Sequence, residues 1–368
     1  MTPVFLCGPL CHHPLLDVIL GGSFALSPAY VSDRVASMID SPGHIALARQ
    51  RGGKVEGAVL EAPTPQAMAR LAFYAKVIGL RPRPVSVTAA SGTAQGVTYA
   101  LKSGPAEAGP WDAALWLADH AALAVETAGL VMAQLGQTPP ARLHARLGPV
   151  MVRAGSRLRA QSQPAPEALR RAPGAIDLRA ARQPYAHFFA VEEYDLSFPR
   201  FDGTMSPQIN RAVFVSGDAV TVLPYDPARD RVLLVEQLRA GPMGRGDPNP
   251  WQLEAIAGRI DPGEAPEEAA RREAVEEAGL TLGPLLPVAN YYPSPGAKSE
   301  FLYSYVAITQ LPDGAAGVFG VEDEAEDIRG HLISFDQAMA LVSTGEIQNA
   351  PLLVTLLWLQ RERGRLRS

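Results

Sequence analysis

Residues 258–280 read GRIDPGEAPEEAARREAVEEAGL, and this stretch decides the fold of the second half of the chain. Its first seven residues hold two glycines and a proline, which favours a loop. Pro266 suits the first position of a helix, the two glutamates after it favour the positive end of the helix dipole, and Gly279 suits a left-handed C-cap. The stretch therefore predicts a loop that leads into a helix over 266–278.

Three glutamates of this predicted helix share one face. Glu273, Glu276 and Glu277 stand at positions i, i+3 and i+4. Their like charges repel, and a hard divalent cation is the usual compensation, because oxygen ligands select Mg²⁺ or Mn²⁺ over zinc. Such a cation also neutralises a diphosphate and positions a water for its hydrolysis. The alternative is a solvated acidic helix face, and carboxylate spacing alone leaves both interpretations open.

The whole stretch resembles the Nudix box: Gly, five residues, Glu, seven residues, then Arg-Glu-apolar-any-Glu-Glu-any-Gly-apolar. The fixed positions are Gly258, Glu264, Arg272, Glu273, Glu276, Glu277 and Gly279. The resemblance implies a Nudix hydrolase on an α/β/α sandwich, with Mg²⁺, or Mn²⁺, as cofactor. The metal ligands it implies are Ala257 (through its carbonyl), Glu273, Glu276, Glu277 and Glu326. Its implied catalytic residues are Glu324, Glu276 and Arg272, and Glu264 is implied to support the ligands from behind.

Segments that flank the box are similar to those of ADP-ribose pyrophosphatases, over about 185–359. They are residues 235–239, 251–258, 292–296, 324–328 and 345–350. This similarity implies hydrolysis of ADP-ribose to AMP and ribose 5-phosphate. The alternatives are another nucleoside-diphosphate sugar as substrate, or a nucleotide-sugar sensor without turnover, which the intact box disfavours.

The same similarity implies the substrate contacts. Arg211 and Arg239 are candidates to pair with the diphosphate or the terminal ribose, because a planar guanidinium binds phosphate oxygens in pairs. Glu254 is expected to accept a hydrogen bond from the adenine or the ribose. Pro295 and Glu300 belong to the implied substrate loop. The alternative interpretations are surface arginines and ordinary loop punctuation.

The acidic run 322–327 is the last part of the implied site. Glu324 is expected to orient or deprotonate the attacking water, and Glu326 to complete the metal shell. A solvated acidic loop is the alternative. Lys298 departs from the subfamily pattern, since it places a charge in the glycine-rich segment after Pro295.

The first half resembles gamma-glutamyl cyclotransferase-like domains from about Pro3 to Leu101. The similarity lies in residues 4–10, 54–60 and 71–75, and it implies a mixed β-barrel and helical domain. Those enzymes use a carboxylate in the segment that matches 71–75, where Ala72 and Ala75 stand, so we expect no catalysis there. A bifunctional enzyme is the disfavoured alternative. The combination of both domains resembles bacterial proteins associated with tellurite resistance.

Apolar patterning and turn residues predict the remaining elements and the class α/β (α+β). The predicted strands are 3–6, 188–191, 211–215, 219–223, 232–235, 301–308 and 331–334, and the other predicted helices are 66–78, 111–135, 335–343 and 350–361. The predicted domains are 1–160 and 185–368, joined by a proline-rich linker over 161–184.

Composition limits the partners. A net charge of −5 without a basic block excludes a nucleic-acid-binding surface, and Cys7 and Cys11 are too few for a disulfide framework. These cysteines are too crowded with His12 and His13 for a zinc site. With no signal peptide or membrane span expected, we predict a cytoplasmic protein that binds a nucleoside-diphosphate sugar. A homodimer is predicted, because residues 188–215 resemble the segment that ADP-ribose pyrophosphatases exchange between subunits.

Overall fold

The computed structural model describes residues 2–39, 44–101, 109–164, 168–170, 174–320 and 326–368. They form two compact units, Met1–Pro166 and Glu167–Ser368. The predicted linker over 161–184 is too long, because a strand over Asp177–Ala186 already pairs with the next strand of the second unit.

The first unit is built on a closed five-stranded barrel, as the sequence predicted for a mixed β-barrel. Its strands are β1 (Val4–Leu6), β2 (Leu26–Ile39), β3 (His44–Leu60), β4 (Arg81–Ala89) and β5 (Gly92–Ala100), in the order β1-β3-β2-β4-β5. β1 and β5 pair in parallel and the other pairs are antiparallel. Gly57 is required where β3 crosses β1, because a Cβ there would lie 2.1 Å from the carbonyl oxygen of Leu6.

Helices cover this barrel. They are a 3₁₀ turn (Gly8–Cys11), α1 (His13–Leu20), α2 (Pro65–Val77), α3 (Ala113–Asp119), α4 (Ala121–Met132), α5 (Pro140–His144) and α6 (Leu147–Ser162). The prediction of one helix over 111–135 is wrong, because His120 leaves helical geometry with φ −124° and ψ −22°. The two pieces are bent by 66°. No single helix within the described ranges is long and apolar enough to cross a membrane, although this bent pair passes on length and composition.

The second unit begins with a three-stranded antiparallel sheet. Its strands are β6 (Asp177–Ala186), β7 (Ala190–Ser197) and β8 (Ile209–Val215). The strand predicted over 188–191 starts too early, because Phe188 and Phe189 lie in the turn between β6 and β7. There the backbone N–H of His187 donates to the carbonyl of Phe189 at 2.8 Å.

The rest of the second unit is an α/β/α sandwich, as predicted. Its strands are β9 (Ala219–Asp226), β10 (Arg231–Leu238), β11 (Trp251–Glu254), β12 (Ile256–Arg259), β13 (Leu285–Tyr291), β14 (Leu302–Ile308), β15 (Val318–Phe319) and β16 (Ile328–Ser334). Its helices are α7 (Ala240–Arg245), α8 (Pro266–Ala278), α9 (Phe335–Thr344) and α10 (Ala350–Arg367). α8 packs its alanines on one face of the sheet, and α9 and α10 cover the other face.

The centre of this sheet splits, and the split positions the site. β9 and β10 pair with each other only near Arg231 and Val232. Beyond that point β11 pairs with β10 while β12 pairs with β9, so that residues 251–259 lie between the two diverging strands. Ala257 and Glu254 therefore lie in the middle of the sheet, with Ala257 on the strand that contacts α8 and Glu254 on the strand that contacts α10.

Candidate active site

Arg272 connects the loop, the strand and the helix of the motif over 258–280. Its guanidinium donates to both carboxylate oxygens of Glu264, at 2.9 and 3.0 Å. It also donates to Glu273 at 2.8 Å, to Glu276 at 3.0 Å and to the carbonyl of Arg259 at 2.9 Å. The hydrogen bonds with Glu264 are the main reason that the pKa of Arg272 is raised. This geometry lets Glu264 fix Arg272, and lets Arg272 in turn hold the carboxylates of Glu273 and Glu276.

Glu277 is the most buried carboxylate of α8, with a relative exposure of 2%. One oxygen accepts from the backbone N–H of Ala257 at 3.0 Å, and the other accepts from the amide of Gln237 at 3.4 Å. Burial raises the pKa of Glu277 to about 8, and the nearby charges of Glu273 and Glu326 act in the same direction. The sequence interpretation missed Gln237, although it lies two residues before Arg239 and therefore on the same face of β10.

Glu273 packs directly against Gly258. A Cβ on Gly258 would lie 1.8 Å from a carboxylate oxygen of Glu273, so that only glycine fits beside this side chain. Burial raises the pKa of Glu273 to about 7, the bonds from Arg272 oppose that rise, and the charges of Glu276 and Glu326 add to it. The glycine of the motif is thus explained by the carboxylate fifteen residues after it.

Arg239 lies at the end of β10, close to these carboxylates. Its Nε and Nη2 donate to one oxygen of Glu254, at 3.0 and 2.6 Å. Burial acts to lower the pKa of Arg239, but the bonds with Glu254 and the charges of Glu254, Glu277 and Glu326 raise it overall. The structure thus brings the guanidinium of Arg239 close to the acidic face of α8.

Comparisons with known proteins agree with this geometry. The family model described as "NUDIX domain" matches residues 215–356. The ADP-ribose pyrophosphatase of Escherichia coli (strain K12) is 39% identical over 194 residues, which are 52% of this chain and 91% of that protein. The chain belongs to the Nudix family. As a Nudix hydrolase, it acts on phosphoric anhydrides.

Two further similarities accompany this assignment. The GDP-mannose pyrophosphatase of Enterobacter sp. (strain 638) is 35% identical over 174 residues, which are 47% of this chain and 89% of that protein. A solved structure entitled "Crystal structure of ADP compounds hydrolase" matches with a TM-score of 0.43 and 22% identity, over 54% of this chain and all of that one.

The Nudix carboxylates suit a hard divalent cation. Within the described ranges no three acidic, histidine or cysteine side chains are already gathered as metal ligands, since Glu273 turns to Arg272 and Glu277 to the N–H of Ala257. The donor set is nevertheless all oxygen. Burial raises the pKa values of Glu273 and Glu277 because it disfavours their charged forms, and a bound cation would stabilise those charged forms. Glu326 acts on both electrostatically, whereas Glu324 lies outside the described residues.

The substrate side predicted for this Nudix site is built from two connected segments. Pro295 lies in the turn 295–297, and Lys298 donates to Glu300 at 3.2 Å. This loop is joined to β8 by a hydrogen bond of 2.8 Å from the N–H of Phe214 to the carbonyl of Ala297. Arg211, also on β8, is exposed. The small sheet and the predicted substrate loop are therefore physically linked, with Arg211 three residues from the junction.

Proposed function

We propose that this Nudix hydrolase cleaves the diphosphate of ADP-ribose, giving AMP and ribose 5-phosphate, with Mg²⁺ as its metal and Mn²⁺ as a substitute. The observation that carries the proposal is the acidic face of α8, in which Glu277 is buried, with Arg239 close by. A cation held on this acidic face would suit an anionic diphosphate, and so would the fixed guanidinium beside it. The relatives named as ADP-ribose pyrophosphatases support this choice of substrate.

We propose a role for each residue around the cation. Glu273, Glu276, Glu277 and Glu326 would hold the cation together with the carbonyl of Ala257. When bound, the cation neutralises the diphosphate and lowers the cost of deprotonating the attacking water. Arg272 keeps two of these groups, Glu273 and Glu276, in place, and is itself fixed by its bonds to Glu264.

The remaining parts concern the substrate. We assign the general base to Glu324, and pairing with the diphosphate or the ribose to Arg239 and Arg211. The substrate loop with Pro295 and Glu300 is assigned to the sugar end. The carboxylate of Glu300 accepts a hydrogen bond from Lys298, and the charge of the lysine offsets its own.

A substrate panel tests the proposal. Turnover of ADP-ribose, GDP-mannose and other nucleoside-diphosphate sugars is measured with Mg²⁺ and with Mn²⁺, and the products are identified by chromatography. We expect the highest kcat/KM with ADP-ribose, and AMP as a product. GDP-mannose is the second candidate, because a GDP-mannose pyrophosphatase is 35% identical. A higher kcat/KM with GDP-mannose would overturn the substrate assignment, and binding without any turnover would identify a sensor.

We propose that the first unit has no gamma-glutamyl cyclotransferase activity. Ala75 is 1% exposed and packs in the core between the barrel and its helices, so that no acid stands at that position. A cavity of about 10 Å³, the room of roughly one water, lies in this unit. Among the described residues around it are Cys7, His44, Tyr74 and Tyr99, and none is a carboxylate. Release of 5-oxoproline from gamma-glutamyl substrates by the full chain would contradict this proposal.

A further inference from the structure

Asn349, Glu254 and Arg239 form a chain of hydrogen bonds that ends at the candidate active site. The amide of Asn349 donates to one oxygen of Glu254 at 2.9 Å. The other oxygen of Glu254 accepts from Nε and Nη2 of Arg239, at 3.0 and 2.6 Å. The three residues come from the start of α10, the end of β11 and the end of β10, so the chain joins three elements.

Glu254 is fully occupied by protein donors. Its relative exposure is 6%, and both of its oxygens accept from neighbouring side chains. A buried carboxylate needs such donors, and the charge-assisted pair with arginine is among the stronger hydrogen bonds. A substrate hydroxyl or amino group would have to compete with Arg239 and Asn349 for the same oxygens. Glu254 is therefore poorly suited to accept from a substrate.

Arg239 is held in one orientation by this pair. Nε and Nη2 both donate to Glu254, and within the described residues Nη1 donates no hydrogen bond. Arg239 also lies close enough to Glu277 and Glu326 for their charges to act on it. A guanidinium fixed along one edge presents its other edge to an anion in a defined direction.

Asn349 has two roles that can be separated. Its side-chain oxygen caps α10 by accepting from the N–H of Leu352 at 3.0 Å, while its amide group holds Glu254. Serine at this position would keep a cap oxygen. Its side chain is shorter and has no amide to donate to Glu254. The cap and the link can thus be tested independently.

We infer that Glu254 and Asn349 are positioning residues that aim Arg239 at the diphosphate of the substrate, and that Glu254 is not itself a substrate ligand. The inference rests on the proposed role of Arg239. It assigns the start of α10, on the far face of the sheet from α8, a part in orienting the substrate.

A double-mutant cycle tests the inference in the full-length chain, with the best substrate of the panel. Glu254→Gln and Asn349→Ser are each expected to lower kcat/KM about tenfold or more, mainly through KM, because a misdirected guanidinium weakens substrate contact. The double variant Arg239→Ala/Glu254→Gln should be no slower than Arg239→Ala alone. Losses that add in the double variant would show that Glu254 touches the substrate itself and would overturn the inference.

The control concerns the helix cap. Asn349→Ser is expected to lower Tm by no more than a few degrees, because the cap is retained and only the hydrogen bond to Glu254 is lost. Ser334→Asn makes the reverse exchange at the N-cap of α9, where the serine oxygen accepts from Gln337 at 3.1 Å. It should change neither Tm nor kcat/KM. Loss of activity in Ser334→Asn equal to that in Asn349→Ser would mean that any cap exchange disturbs the enzyme, against a specific link.

A measurement without turnover separates this inference from the proposed function. The ¹⁵N–¹H resonance of Arg239 Nε is assigned by its loss in Arg239→Lys. We expect it to shift in both Asn349→Ser and Glu254→Gln, and to stay in place in Ser334→Asn. An unchanged resonance in Asn349→Ser would contradict the link even in an active enzyme. A shifted resonance in a protein that hydrolyses no nucleoside-diphosphate sugar would support the link and refute the proposed function.

Discussion

At the scale of single residues, the site depends on carboxylates that close contacts hold in one position. Glu277 is buried and holds the N–H of Ala257, and Glu273 lies against Gly258. These contacts place two carboxylates on the strand side of α8. Each of these carboxylates is therefore both a proposed metal ligand and a structural contact. Glutamine substitutions and Gly258→Ala test these two roles separately.

Replacing Glu277 or Glu273 by glutamine should remove most of the activity while the fold is kept. Glutamine preserves the size of the side chain but removes the charge that would hold a cation, a stabilisation of several kcal/mol. We expect kcat to fall about a thousandfold in each variant, with Tm near that of the wild type. Glu268→Gln is the matched control on the same helix, since its side chain is exposed and only accepts from the N–H of Ala265. Near-normal turnover in both site variants would refute the metal assignment.

Gly258→Ala should damage activity more than stability. The added methyl group would overlap a carboxylate oxygen of Glu273, which must then move away from its place beside β12. We expect kcat to fall about a hundredfold, because small displacements of catalytic groups have effects of that size. Gly364→Ala in α10 is the control, because nothing lies within 4 Å of its added Cβ. A variant with full activity would show that Glu273 is not needed in this position.

At the scale of elements, the motif over 258–280 is one unit held together by Arg272. The side chain reaches the loop through Glu264, the strand through the carbonyl of Arg259 and the helix through two glutamates. Glu264 in turn accepts from the N–H of Asp261 at 2.9 Å and closes the loop. α8 is therefore fixed to the end of β12 and to the loop between them by one guanidinium.

Arg272→Lys should loosen this connection although it keeps the charge. An ammonium group cannot make the two parallel bonds to Glu264 and still reach Arg259. We expect kcat to fall about tenfold to a thousandfold, and Tm to drop by a few degrees. Thermal unfolding and steady-state kinetics measure both. If Arg229→Lys, which alters an ion pair with Asp226 outside the motif, lowers kcat as much, the effect is not specific to the motif.

At the scale of the whole molecule, the second unit carries an exposed apolar surface on its three-stranded sheet. Phe188 is 64% exposed, Tyr185 53% and Leu178 52%, while Arg259 lies 3.8 Å from the ring centre of Phe188. Large exposed apolar side chains grouped on one sheet are typical of an interface. This surface supports the predicted homodimer, which remains a prediction, as does the cytoplasmic location.

Sedimentation should find a dimer at micromolar concentration. Tyr185→Ser together with Phe188→Ser should shift the chain toward monomer, because both side chains lose apolar area that association would bury. Leu115→Ser is the control, as Leu115 is an exposed leucine of the first unit with a relative exposure of 46%. A wild-type monomer under these conditions would contradict the prediction.

The sequence by itself determined the elements with strong local patterns. The helix over 266–278, its first-turn Pro266 and its left-handed cap at Gly279 were all predictable, because capping and spacing are properties of neighbouring residues. The Nudix box likewise named Glu273 and Glu277 before their surroundings were known. Local pattern failed at 111–135, where uninterrupted helix-forming residues conceal a break at His120, and at 161–184, where polar residues form part of β6.

Only the tertiary structure decided how distant segments meet. It placed Gln237 on Glu277, forty residues away, and Asn349 on Glu254, ninety-five residues away. It also paired Glu254 with Arg239, the contact on which our inference of a positioning role for Glu254 rests. The physical reason is that the splitting of β9 from β10 sets which side chains share the site. That geometry arises from packing across the sheet, so no short stretch of sequence contains it.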